Sequence, residues 1–334
     1  MPPKRPRLSE DSQTEDGGEQ QGNPTTASTG PRPHEEVWFS DGSIVLATDV
    51  HLYRVHKGML AKYSRVLSDM FEFPTGNGNT DCWEGVPIVR MVGDSDKEIS
   101  LLLKALYGMN LRDALREMAL SEVTSLLSIS SKYDFQDVRS DVVHHLQSLL
   151  PSTLEKYQAS RIHEGVLVPR QLFDLLLAAV RCDVPLIIPA LSYLCARIPL
   201  PRTVSLLHEL PNECMERFLL GRDWLCGVSQ IILKRSLRVT KTRRCGSSRC
   251  LEGFRALVEE KFPNNGPRFI FIFDVPERGI LEGIRLEDRE ICGECAEKYT
   301  KMLKSSKNRV WNSLSKAFSL KTWKELGRSE PMGD

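Results

Sequence analysis

Two pairs of closely spaced cysteines, Cys245-x4-Cys250 and Cys292-x2-Cys295, stand 41 residues apart in a chain of 334. Each short spacing lets one turn aim two thiolates at a point, and four thiolates at about 2.3 Å satisfy a tetrahedral Zn²⁺. If the pairs converge, distant turns must meet at one place, a tighter constraint on the fold than hydrophobic periodicity supplies. Gly246 and Gly293 follow the first Cys of each pair, where a tight knuckle needs a positive φ or a bare amide turned toward sulfur. Two other readings stand: four reduced, unconnected thiols, or a redox pair at Cys292 and Cys295, for which a βαβ context is missing. With four protein ligands such an ion has no open position, so it supports folding rather than catalysis. Cys226 and His208 are the substitutes if one ligand is misassigned.

Nine cysteines, an odd number, together with no apolar leader among the first residues, argue against a secreted disulfide framework and for a reducing compartment. No apolar run approaches the roughly 20 residues that cross a bilayer, so no membrane partner is expected. Lys plus Arg (45) against Asp plus Glu (44) leaves a net charge of +1, so no global field recruits nucleic acid or an anionic surface, and any charge-driven contact must be local.

Residues 1–34 hold no aromatic side chain and, among ordinary apolar ones, only Met1, Leu8 and Ala27. That is too little to offset chain entropy, so they read as a disordered N-terminal tail. Lys4, Arg5 and Arg7 resemble a short nuclear localisation signal, a pattern that also arises by chance at charged termini. Order begins at Val37. Residues 44–48 are β-branched and apolar enough for a strand, with 51–55 as its hairpin partner. The period then changes: His56, Leu60, Ser64 and Leu67 recur every three or four residues, on one helix or two short consecutive ones. After a Gly/Asn-rich loop at 75–81, residues 86–92 give another strand. Three helical stripes follow: Ile99, Leu102, Leu103 and Leu106; Val123, Leu126, Leu127 and Ser130; Val138, Val142, Leu146 and Leu149, ended by Pro151.

Residues 153–225 form a helical region. Its nearly continuous apolar runs at 172–180 and 186–195 predict helices buried on most sides, cut short by Pro185, Pro189, Pro199 and Pro201, with Cys182, Cys195 and Cys214 as core. Residues 226–334 form the cysteine-containing C-terminal region, with a strand at 269–273. Its Lys-rich tail from Tyr299 to Trp323 carries Val310, Leu314 and Phe318 at helical spacing, a face that packs on its own domain.

The run Asp41-Gly42-Ser43-Ile44-Val45-Leu46, then Tyr53-Arg54-Val55-His56 through Leu60 to Ser64, then Met70-Phe71, resembles the opening of a BTB/POZ domain of the fungal single-domain type. Residues 99–107 and 119–135 are similar to later pieces of it. The resemblance covers 37–150, with Asp41, Tyr53, His56, Leu60 and Ser64 as structural signature positions; in some members the matching Asp lies in a charged pocket at the dimer interface. The run Gly221-Arg222-Asp223-Trp224-Leu225 looks like one that follows the domain in the same proteins. The chain departs from the pattern at Leu67, where many members carry Phe, and in a lengthened loop with Cys82 and Trp83. The fold expected is α+β: a BTB/POZ domain, its short sheet flanked by helices, then a helix-rich region and a small zinc-stabilised α+β region.

The sequence carries no Gly-x-Ser-x-Gly, Gly-x4-Gly-Lys-Ser/Thr, His-Glu-x2-His or Rossmann glycine pattern. It therefore reads as a non-enzymatic protein–protein interaction protein of the nucleus, the cytoplasm or both. Its BTB module would form a homodimer or bind a partner, as a regulatory or adaptor scaffold. The resemblance implies transcription factor assembly or adaptation to a cullin ubiquitin ligase. The alternative is a nucleic-acid-binding regulator using the stretch 234–249, which has seven basic residues (Lys234, Arg235, Arg238, Lys241, Arg243, Arg244, Arg249) and no acid. No aromatics interleave those charges, as base stacking would need.

Overall fold

The computed structural model describes residues 30–72, 81–160, 162, 168–237, 242–243, 245, 249–261, 273 and 291–327. Among the described residues there are five strands: β1 (Arg32–Trp38), β2 (Ile44–Ala47), β3 (His51–Val55), β4 (Cys82–Trp83) and β5 (Val86–Arg90). They form one sheet in the order β1-β3-β2-β5-β4. β2 pairs antiparallel with β3 and parallel with β5, while β1 runs parallel to β3 and β4 antiparallel to β5. β2 is central and wholly buried, so it reads as an uninterrupted apolar run. The period of two still divides it: Ile44 and Leu46 join Tyr53 and Val55 in the main core, while Val45, Ala47 and Leu52 meet Trp38, Trp83, Val86 and Ile88 on the other face.

β1 corrects the extent of the N-terminal tail, assigned above to residues 1–34. Arg32 to His34 are strand residues. Backbone pairing with β3 holds this edge instead of apolar burial, and the His34 ring stacks on Tyr53 with centroids 4.9 Å apart. Lys4, Arg5 and Arg7 lie outside the described residues.

α1 (Lys57–Tyr63) and α2 (Arg65–Glu72) are the two short helices that the stripe allowed. Ser64 separates them: its backbone is extended, its Oγ accepts from Leu67 N–H at 3.0 Å, and it donates to the Tyr133 carbonyl at 2.5 Å. α3 (Asp96–Tyr107) starts at a reciprocal Ser95–Glu98 capping box. α5 (Leu120–Lys132) and α6 (Gln136–Leu149) bury the stripes named above except Leu149, which is half-buried. Before them α4 (Leu111–Glu117) went unforeseen, because Leu111 and Leu115 alone make too short a pattern.

α7 (Leu154–Gln158), α8 (Pro169–Arg181), α9 (Ile188–Arg197), α10 (Leu200–Leu207), α11 (Asn212–Leu237), α12 (Cys250–Lys261) and α13 (Gly293–Ala317) complete the fold, which is mixed α+β. α8 packs against both α5 and α9, and the Arg139 guanidinium on α6 donates to the Cys182 carbonyl at 2.7 Å. Residues 189–196 of α9 are all buried. Pro189 and Pro201 sit in the first turns of α9 and α10, where the missing N–H costs nothing, so they begin helices where breaks had been expected. One buried core runs from the sheet to α13.

The division drawn at residues 225/226 falls inside α11. That helix continues because its buried side does, through Phe218, Leu225 and Ile232. Gly221 belongs to the same side: the Phe318 ring fills the place of a Cβ, whose ideal position lies 2.2 Å from Phe318 Cδ1. Val310, Leu314 and Phe318 are buried, as the tail's spacing predicts. Of the strand expected at 269–273, only Phe273 is described. It is a buried turn residue whose N–H donates to Tyr193 Oη at 3.2 Å. Among the described residues no helix is long and apolar enough to cross a membrane.

Candidate metal centre

The two cysteine pairs do converge. The ligand atoms of Cys245, Cys250, Cys292 and Cys295 all lie within 4.8 Å of one another, and Cys250 and Cys295 are buried. A regular tetrahedron of sulfurs about 2.3 Å from a central Zn²⁺ has edges of about 3.8 Å, so small side-chain rotations would close this cluster on an ion. Each element supplies its thiol for a local reason. Cys250 is the first residue of α12 and Cys292 is the N-cap of α13, so the positive ends of two helices meet at the sulfurs. Backbone amides add to this: Cys292 N–H points to Cys250 Sγ at 3.2 Å, and Thr242 N–H to Cys295 Sγ at 3.5 Å. Within the group the proton is held unevenly, the Cys292 thiol lying above its usual range and Cys295 below.

Burial pushes the Cys295 thiol up, but the Thr242 amide and hydroxyl, with the Cys245 and Cys292 thiols, outweigh it and bring it down to about 7. A sulfur already biased toward thiolate near neutral pH suits a metal ligand. Convergence of Cys245 and Cys250 on the other pair weighs against an isolated redox dithiol, and the substitutes Cys226 and His208 do not join the group. Gly293 is the first residue of α13 and has no positive φ, so the first of the two reasons for a glycine there does not apply. Gly246 lies outside the described residues. The donor set and spacing thus fit zinc, which would be held by all four sulfurs.

Of the basic stretch, Arg235, Arg243 and Arg249 are exposed. Arg238, Lys241, Arg244 and the Lys234 side chain lie outside the described residues.

The signature positions of the first half lie together. Leu60 is fully buried, and the buried Tyr53 donates to Asp96 Oδ1 at 2.8 Å. The N–H of His56 points to Tyr107 Oη at 2.9 Å, and its Nε2 stands 3.3 Å from exposed Asp41. The hydrogen bond from His56 holds the Asp41 carboxyl below its usual range. His56 thus joins the start of α1 to Tyr107 of α3 and to Asp41.

Sequence reasoning missed a polar knot on Asp96, which also accepts from Thr48 Oγ1 at 2.5 Å and lies 2.8 Å from His51 Nδ1. It also missed buried Asp94, which accepts from Lys132 at 2.5 Å and Tyr133 at 2.6 Å. Both flank Ser95, the N-cap of α3. Comparison with protein-family models, curated proteins and solved structures finds no match.

Proposed function

We propose that the chain is a non-enzymatic interaction protein: a BTB/POZ-type module at 37–150 self-associates or binds a partner, and a zinc-stabilised C-terminal region is attached to it through α8–α11. One observation carries the reading. The separate sequence pieces that resemble the family meet in one unit, Ser64 bonding to the Tyr133 carbonyl across 69 residues and His56 to Tyr107 across 51. Their sequence spacing alone did not require this. The four-sulfur cluster supports a structural role for the metal, because tetrahedral thiolate coordination leaves no site for a substrate. The ion would neutralise converging thiolates and fix two helix starts, and the protein's own surfaces would do the binding.

The experiment is affinity purification of the tagged full chain from its own cells, coupled to a mass measurement of the pure protein. Recovery of a cullin supports the ligase-adaptor form, and recovery of chromatin factors the transcriptional form. A homodimer alone supports self-association. A monomer that retains no protein overturns the proposal.

A further inference from the structure

One flank of α11, beside the side that Phe218, Leu225 and Ile232 bury, has no role in that reading. On it Glu216, Leu220, Trp224, Gly227, Ile231 and Arg235 follow at steps of four, four, three, four and four residues, so they form one line along the helix. Leu220 is 56% and Ile231 52% exposed. Trp224 is half-buried, one side of its ring packed on the chain's own core and the rest open, Glu216 and Arg235 are exposed, and a Cβ added at Gly227 would meet nothing within 4 Å. The line is apolar in the middle, acidic at its N-terminal end and basic at its C-terminal end.

We propose that a second copy of this chain docks here, the two α11 helices lying antiparallel about a two-fold axis midway between Trp224 and Gly227. In that register Glu216 faces the partner's Arg235, Leu220 faces the partner's Ile231, and Trp224 faces the open recess at the partner's Gly227. A two-fold interface must be self-complementary, and all three pairings follow from a single placement of the axis. Antiparallel packing also sets each helix's positive end beside the other's negative end. A foreign helix could match the apolar stripe, but nothing would place an acid and a base in this register; a second copy supplies both.

The paired segment is about 30 Å long and about 10 Å wide, well below the roughly 800 Å² per partner of a standard interface. The association is therefore weak and reversible, readable at about 100 µM. It does not rest on the BTB reading, which would use another surface.

The test is sedimentation velocity of the full chain across that concentration range. Glu216→Arg or Arg235→Glu alone should raise the dissociation constant about tenfold, and the two together should restore it. Gly227→Leu should fold with undiminished thermal stability, since leucine favours helix and has room, yet abolish the association by filling the recess. A protein that stays monomeric at about 100 µM, or a self-association that none of the single substitutions weakens, overturns the inference. The second outcome leaves BTB-mediated self-association standing, so the two failures are distinguishable.

Discussion

The sheet-bearing unit of residues 32–149 and the region of α11 to α13 are held by different physics. In the first, the apolar stripes of α3, α5 and α6 share one core with Ile44, Leu46, Tyr53 and Val55 of β2 and β3. Its polar contacts, Ser64 to Tyr133 and the knot on Asp96, pin elements that hydrophobic burial already brings together. In the second, the starts of α12 and α13 meet at four sulfurs. Behind them Trp311 gathers Tyr157, Phe273 and Trp323 at centroid distances of 4.8, 5.0 and 5.7 Å. Both regions share one buried core, and what sets the second apart is the sulfur cluster on which two of its helix starts converge.

That contrast predicts where each region breaks. The largest effect belongs to the sulfur cluster: Cys250→Ser should unfold the segment around α12 and the start of α13. A zinc ion held there would supply an apparent ~10–16 kcal/mol, the range for structural zinc in small folds. Hydrogen exchange should show lost protection in those helices with the sheet amides retained; equal loss in both regions would abolish the distinction.

Next come the cores. Trp311→Ala should cost about 3–5 kcal/mol and Leu60→Ala about 2–5 kcal/mol. If the regions are independent, the costs of chelation and of Leu60→Ala should simply add, as chemical denaturation of the single and chelated forms would reveal. Ser64→Ala should cost about 1–3 kcal/mol, because it deprives both the buried Leu67 amide and the Tyr133 carbonyl of a partner. A cost below about 0.5 kcal/mol would show that the link between the resembling pieces is incidental.

The smallest effect is on the β1 edge. Burial, with the charges of His51 and Lys104, holds His34 below its ordinary value of 6.5. The unfolded or detached strand therefore binds a proton more readily. The stabilisation is complete above about pH 6.5 and is lost as pH falls through the depressed value. Its Nδ1, which accepts from the Glu36 and Val37 amides, would then be blocked. Exchange protection at Val37, corrected for intrinsic rates, should fall on acidification, and His34→Ala should remove that pH dependence.

Legibility in the sequence follows the same contrast. Helix positions such as Val123, Leu126, Leu127 and Ser130 were readable because burial imposes its period on the sequence, and all four are buried. The cysteines were readable because metal ligation demands particular residue types at short spacing. β1 was not, since an edge strand held by backbone pairing leaves little apolar trace. Nor was the length of α11, whose glycines suggest breaks until Phe318 is seen packed against Gly221. Thr242, Asp94 and Asp96 act through contacts far apart in sequence, which no local pattern encodes.

The most direct test of the central claim is the metal itself. Full-length protein, purified without added metal, should be assayed for zinc content and the metal's surroundings read by X-ray absorption. The expected result is one zinc per chain with four sulfur neighbours at about 2.3 Å. A chain that is folded and metal-free, with all four thiols open to a thiol reagent, would contradict it.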